Sequence, residues 1–285
     1  MIKISSAITL LAPLFVYGGI IPRRGDTEVN SVTRRWDESL KANPLVDADG
    51  PKVQDVVQGT LATSGSWLLS FLAAYANSRS GELSKHWTPQ GDPTPTEDPS
   101  EELHQAGFHL IDKNGEPFDQ DVEFDWTLAL DSDRTAQNWW VAGLERAAVR
   151  MGGYKGLSKD GISDGNPEDA FKTFTGHTAE TYEPNEEDIR DLWTLLSPSK
   201  TTPIVLLKES KVEGRTDTFE EWYGVLEALS PKDADLQRPW ERGTVKYWQT
   251  WQPGGITQKG KSVTVRFSDL VKDIKKVVHL KYDDH

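Results

Sequence analysis

The chain has 285 residues, with 32 Lys and Arg against 45 Asp and Glu, a formal charge of −13, and 36% hydrophobic and 27% charged residues. This fits one large or two small globular domains able to bury a core, and excludes collagen-like, coiled-coil and wholly disordered chains. The acidic balance, with no compact basic block, argues against nucleic acid as a partner. The lack of cysteine removes disulfides, thiolate metal sites and any cysteine nucleophile.

Residues 1–19 have the layout of a secretory signal peptide: Lys3, an apolar run over residues 7–16, then Gly18 and Gly19. The run is too short to span a bilayer, and no other window is long and apolar enough to do so. The expected location is therefore secreted, with no membrane partner. Residues 20–44 read as a disordered lead-in. Arg23-Arg24 and Arg34-Arg35 within it are either processing sites or solvated charge pairs. No Asn-x-Ser/Thr sequon occurs anywhere in the chain.

From residue 45 to 285 the chain reads as folded. Residues 65–77 (GSWLLSFLAAYAN) predict a helix apolar on nearly every side and hence buried, with Thr63, Ser64 and Ser66 offering cap hydroxyls. Residues 86–102, with four prolines, predict an exposed loop. Residues 108–130 alternate in pieces around the hairpin-type Asn114-Gly115 turn. A second helix is predicted over residues 138–151, ended by Gly152-Gly153, and a third over residues 186–196 with acidic residues at its start. The period then changes to two. Strands are predicted over 204–207, 222–227, 244–248 and 263–267, followed by a short helix over 269–276. The pattern predicts an α+β protein, with a helical lobe at about residues 45–200 and an antiparallel sheet lobe at about 201–285.

Metal signals are weak. His104 and His109 have no carboxylate in register, and His86 lies in the proline-rich stretch. Asp131-x-Asp133 lacks the glycine and closing glutamate of a calcium loop. Residues 160–169 (DGISDGNPED) read as a solvated acidic turn more readily than as a calcium loop. No phosphate loop, dinucleotide fingerprint or nucleophile elbow is present.

Five segments in order carry a resemblance. Gln58-Gly59-Thr60-Leu61 followed by Ser66-Trp67-Leu68-Leu69 resembles the Gln-Gly-x-Leu-Gly-Asp-Cys-Trp-Leu-Leu run that opens the central helix of the calpain (peptidase C2) catalytic core. Residues 108–131, 138–154 and 171–182 are similar to that family's strand-turn-strand, Trp-x-x-Leu-Leu-Glu helix and Leu-Thr-Gly-Gly stretch. Residues 221–225 (EWYGV) stand where the family has His-Ala-Tyr-Ser-Val. The likeness covers roughly residues 45–280. It implies a papain-like two-lobed cysteine-peptidase fold with a Cys-His-Asn triad and an oxyanion glutamine.

Carried over residue by residue, the triad is replaced. The nucleophile position is Ser66, the base position Glu221, and the orienting amide Gln249, or Arg238 if Pro239-Trp240 is the matching motif. Gln58 keeps the oxyanion position, eight residues before Ser66 rather than six. A serine hydroxyl needs a base that accepts and returns its proton. An exposed carboxylate at 221 would titrate near the ordinary glutamate value and would repel the developing oxyanion. His177 and His109 fall in segments that bear no catalytic group in the family. The implied protein is an inactive peptidase-fold binder of a protein or peptide; the alternative is an endopeptidase with an altered nucleophile. Whether it is an enzyme stays open. No cofactor is expected, and the resemblance leaves calcium open without individual ligands. Trp222 and Trp248 fall near the implied cleft, either as plugs or as ordinary core.

Overall fold

Ten consecutive residues, from Trp67 to Ala76, are buried on all sides of the helix α1 (Ser66–Leu83). A helix with no polar face has to be enclosed, and the rest of the chain is arranged around it. The computed structural model describes residues 45–57, 65–90, 105–123, 138–158, 161–185, 187–211, 218–231, 238–250 and 260–281. Among them are five α-helices and three antiparallel sheets, so the protein is α+β. The leader, the dibasic pairs, Gln58, Thr63, Ser64, His104, Asp131, Asp133 and Asp160 lie outside the described residues.

On one side of α1 stands a three-stranded sheet, ordered β1 (Trp87–Gln90), β2 (Gln105–Ile111), β3 (Pro117–Glu123). Its hairpin turns where expected. Asp112 Oδ1 accepts from the amides of Asn114 and Glu116 at 2.8 and 2.9 Å, and Gly115 takes φ of 88°. The first strand falls in the stretch read as a proline-rich loop. Pro89 is tolerated because β1 is an edge, where a missing N–H breaks no ladder. Helix α2 (Trp140–Met151) covers the inner face of this sheet, burying Phe108, Trp139 and Trp140. The short pair β4 (Leu157–Ser158) and β5 (Gly161–Ile162) follows, then α3 (Pro167–Thr175), which packs on α1 through Phe171 and Phe174.

On the other side lies a six-stranded sheet in the order β10 (Lys261–Arg266), β9 (Thr244–Gln249), β8 (Thr218–Leu229), β7 (Ile204–Lys211), β11 (Ile274–Leu280), β6 (Ala179–Tyr182). One face packs on α1 through Val205, Leu226, Trp248 and Val278. The opposite face is covered by α4 (Ile189–Leu196) and α5 (Phe267–Leu270), around Leu192, Trp193, Tyr223, Tyr247 and Phe267.

Two expectations change here. The helix expected over 269–276 is only the tail of α5, and Ile274–Leu280 is a strand. Its β-branched Ile274, Val277 and Val278 suit a position between two strands, inside the sheet. The division near residue 200 also shifts: β6 and α4 precede it in sequence but pack with the six-stranded sheet.

Candidate functional site

The site begins where α1 begins. Gly65 is its N-cap, with no side-chain capping bond, so Ser66 stands in the first turn of an 18-residue helix, where the Leu68 and Leu69 amides reach back to Gly65 O at 3.1 Å. One turn further, the helix is riveted to β8. Ser70 Oγ donates to Trp222 O at 2.6 Å, and Asn77 Nδ2 donates to Leu226 O at 2.8 Å. Between the two rivets lies Gly224. A Cβ there would sit 2.5 Å from Ser70 O and 3.0 Å from Ala74 N. Helix and strand therefore meet backbone to backbone, and the strand runs out past the N-terminus of α1 toward Trp222 and Glu220.

At that end lies a cavity of about 390 Å³, lined by Ser66 and Trp67 on α1, Asp164 to Asn166 before α3, Glu168 on α3, Leu207 on β7, Glu220 and Trp222 on β8, and Lys276 on β11. The Trp67 indole donates to Ser163 O at 2.9 Å and so fixes the wall opposite the sheet. Three carboxylates, Asp164, Glu168 and Glu220, face one ammonium, Lys276, which already pairs with Glu183 at 2.9 Å. Glu168 accepts from the Thr181 hydroxyl.

Strand alternation decides which implied triad positions meet. Glu220, Trp222 and Gly224 face α1; Glu221, Tyr223 and Val225 face the other side. Glu221 is therefore not opposite Ser66. It is 7% exposed on the α4 face, where Tyr223 donates to its Oε2 at 3.0 Å. Nor does it keep an ordinary carboxyl pKa, as an exposed glutamate would. Burial pushes it up to about 7, against the opposing pull of the Tyr223 bond and the Lys208 charge. The network continues from Tyr223 to Ser210 Oγ at 3.1 Å and from there to Lys208 Nζ at 3.1 Å.

Gln249 pairs with Lys261 in register and shares its strand face with Val245 and Tyr247, also away from Ser66. Arg238 precedes a 3-10 turn and pairs with Glu241 at 3.0 Å, away from the cavity. Trp222 lines the cavity without closing it. Trp248 is core, its indole donating to Val56 O at 2.6 Å.

No histidine lines the cavity among the described residues. His86 is wedged between Tyr75 and Phe174, its pKa lowered by burial. His109 lies on β2, His177 just after α3, and His279 on β11 with Nδ1 2.7 Å from Leu280 O. Among the described residues no group of three or more His, Asp or Glu is placed to hold a metal ion, and no helix is long and apolar enough to cross a membrane.

Sequence reasoning found Ser66 and the strand opposite it. It missed Glu220, Lys276 and the Asp164–Glu168 wall. The wall had a signal: Asn166-Pro167-Glu168-Asp169 followed by Gly176 is a helix start and stop, and α3 begins at Pro167 and ends at Gly176 with φ of 73°. No protein-family model matches this chain, and no curated protein sequence matches it.

Proposed function

We propose that the chain is a secreted, calpain-like protein of papain-type fold that has lost peptidase chemistry and uses its cleft to bind an extended, basic segment of another protein. The observation that carries this reading is the composition of the cavity at the start of α1: a serine hydroxyl, two tryptophans and three carboxylates around one lysine, with no imidazole among the described residues. A serine without a proton carrier is a poor nucleophile. A glutamate beside it adds negative charge where acyl transfer builds more of the same. The groove itself does not depend on catalysis. Its walls are held by the Ser70 and Asn77 rivets and by the Trp67 indole, all of which are packing features. Trp222 and Leu207 offer an apolar floor for side chains of a bound strand, and the surplus of carboxylates favours lysine and arginine on it.

The test is a pair of measurements on purified chain. Casein and a peptide library should remain uncleaved, while lysine-rich peptides quench or shift Trp fluorescence at saturable concentrations. Cleavage that disappears in Ser66→Ala would instead establish the endopeptidase with an altered nucleophile. N-terminal sequencing of exported protein reads the signal peptide directly, by the loss of residues 1–19.

A further inference from the structure

A hydroxyl, an imidazole and a carboxylate do line up in this protein, but on the three-stranded sheet rather than in the cleft. His109 Nδ1 lies 2.7 Å from Asp119 Oδ1, its direct cross-strand partner, and His109 Nε2 lies 2.8 Å from Thr88 Oγ1 on the edge strand β1. All three side chains stand on the solvent face of the sheet, because Trp87, Phe108 and Leu110 take the inner face. The partners fix the polarity of the chain. A carboxylate can only accept, so Nδ1 carries the hydrogen toward Asp119 and Nε2 is left with its lone pair toward Thr88. The Thr88 hydroxyl is then the donor to Nε2, which is the arrangement that readies a hydroxyl for attack. Two titratable neighbours flank the ring among the described residues. Asp121, further along β3, is engaged by Gln90, and His86 reaches His109 only at its carbonyl, 2.8 Å away.

We propose that Thr88 is a base-activated nucleophile that takes an acyl group from small activated esters, with His109 as its base and Asp119 as a positioning residue. Thr88 Oγ1 bonds to the ester carbonyl carbon as its proton passes to His109 Nε2. The ester C–O bond then breaks, and the imidazolium returns that proton to the departing oxygen, leaving acyl-threonine and an alcohol. Water then bonds to the acyl carbon as its proton passes to Nε2, the acyl C–Oγ1 bond breaks, and the imidazolium returns the proton to Thr88 Oγ1, releasing the carboxylic acid. The open sheet face admits small donors. Residue 89 is proline, so the amide following the nucleophile has no N–H to hold an oxyanion. Missing such a donor slows acyl transfer by about 10²–10³-fold, in acylation and deacylation alike, so the label is sought by mass after long exposure to the ester.

The experiment treats the full chain with p-nitrophenyl acetate, follows nitrophenolate release, and locates acetyl groups by peptide mass mapping. Acetylation at Thr88 is expected. His109→Gln should lower its rate about tenfold or more. Thr88→Ser should preserve the reaction, Thr88→Ala should abolish the label, and His177→Gln should leave it unchanged. Asp119→Asn should lower the rate without erasing the Thr88 label, and Asp119→Glu, which restores a carboxylate, should recover it; a merely structural contact would not be rescued in this way. Thr88, Asp119 and His177 are exposed and His109 is half-buried, and circular dichroism confirms that each variant is folded. Acetyl found only on lysines or on His109, no acetyl at Thr88, or a Thr88 rate equal in His109→Gln would overturn the proposal.

Discussion

Glu221 turns on one residue of strand register. Residues 219–223 read Phe-Glu-Glu-Trp-Tyr, so both faces of the strand carry one glutamate and at least one large aromatic, and alternation alone does not say which glutamate turns inward. The structure sends Glu220 to the cleft and Glu221 beneath α4. Burial raises the carboxyl of Glu221 to about 7. The native state therefore holds this proton more tightly than the unfolded chain does. The resulting stabilisation is complete below the ordinary glutamate pKa and is lost as pH rises through about 7. For a group so little exposed the loss is on the order of 3 kcal/mol. Glu221→Gln, which keeps an acceptor for Tyr223, should melt with wild type near pH 4.5 and higher than wild type at pH 8. Parallel melting curves at the two values would refute this assignment.

The seam between α1 and β8 was partly visible beforehand. The all-apolar helix from residue 66 and the strand around 222–227 follow from periodicity, but the backbone contact between them does not. It depends on Gly224, Ala73 and Ala74 coinciding in space, and small residues carry little signal in a hydrophobic pattern. Urea titrations should give Gly224→Val a loss of about 3 kcal/mol or more, because the two atoms its Cβ meets first, Ser70 O and Ala74 N, are backbone. Ser70→Ala, which strands the Trp222 carbonyl, should cost about 1–3 kcal/mol. Equal stability for both variants would mean that the seam is looser than 2.6 Å rivets imply. The strands β1 and β11 were hidden for opposite reasons. The first contains a proline that only an edge admits. The second follows a capped turn, and its apolar residues at 270, 274 and 277 also suit a helical face.

At the scale of the molecule, a six-stranded sheet with both faces covered divides the core in two, and the cleft opens where α1 begins against it. Composition foretold an acidic protein; only the fold brings Glu220 across from Asp164 and Glu168, more than fifty residues away in sequence, around one cavity. A chain of charge −13 with such a cleft should bind lysine-rich peptide ever more weakly as salt is raised past physiological strength, and should ignore a glutamate-rich one. Glu220→Lys should weaken that binding about tenfold or more. Salt-independent binding, or equal affinity for both peptides, would leave the cleft without this selectivity. One further contact has a practical result. Asp55 gathers Asn138 Nδ2, the Trp140 indole and the Lys52 amide at 2.8–3.0 Å, while Leu45 O accepts from the Trp140 amide. This clasp ties the stretch before α1 to the start of α2. A chain trimmed after Asp55 surrenders it and should melt well below the full chain, whereas one trimmed after Arg35 keeps each of these bonds and should hold the clasp.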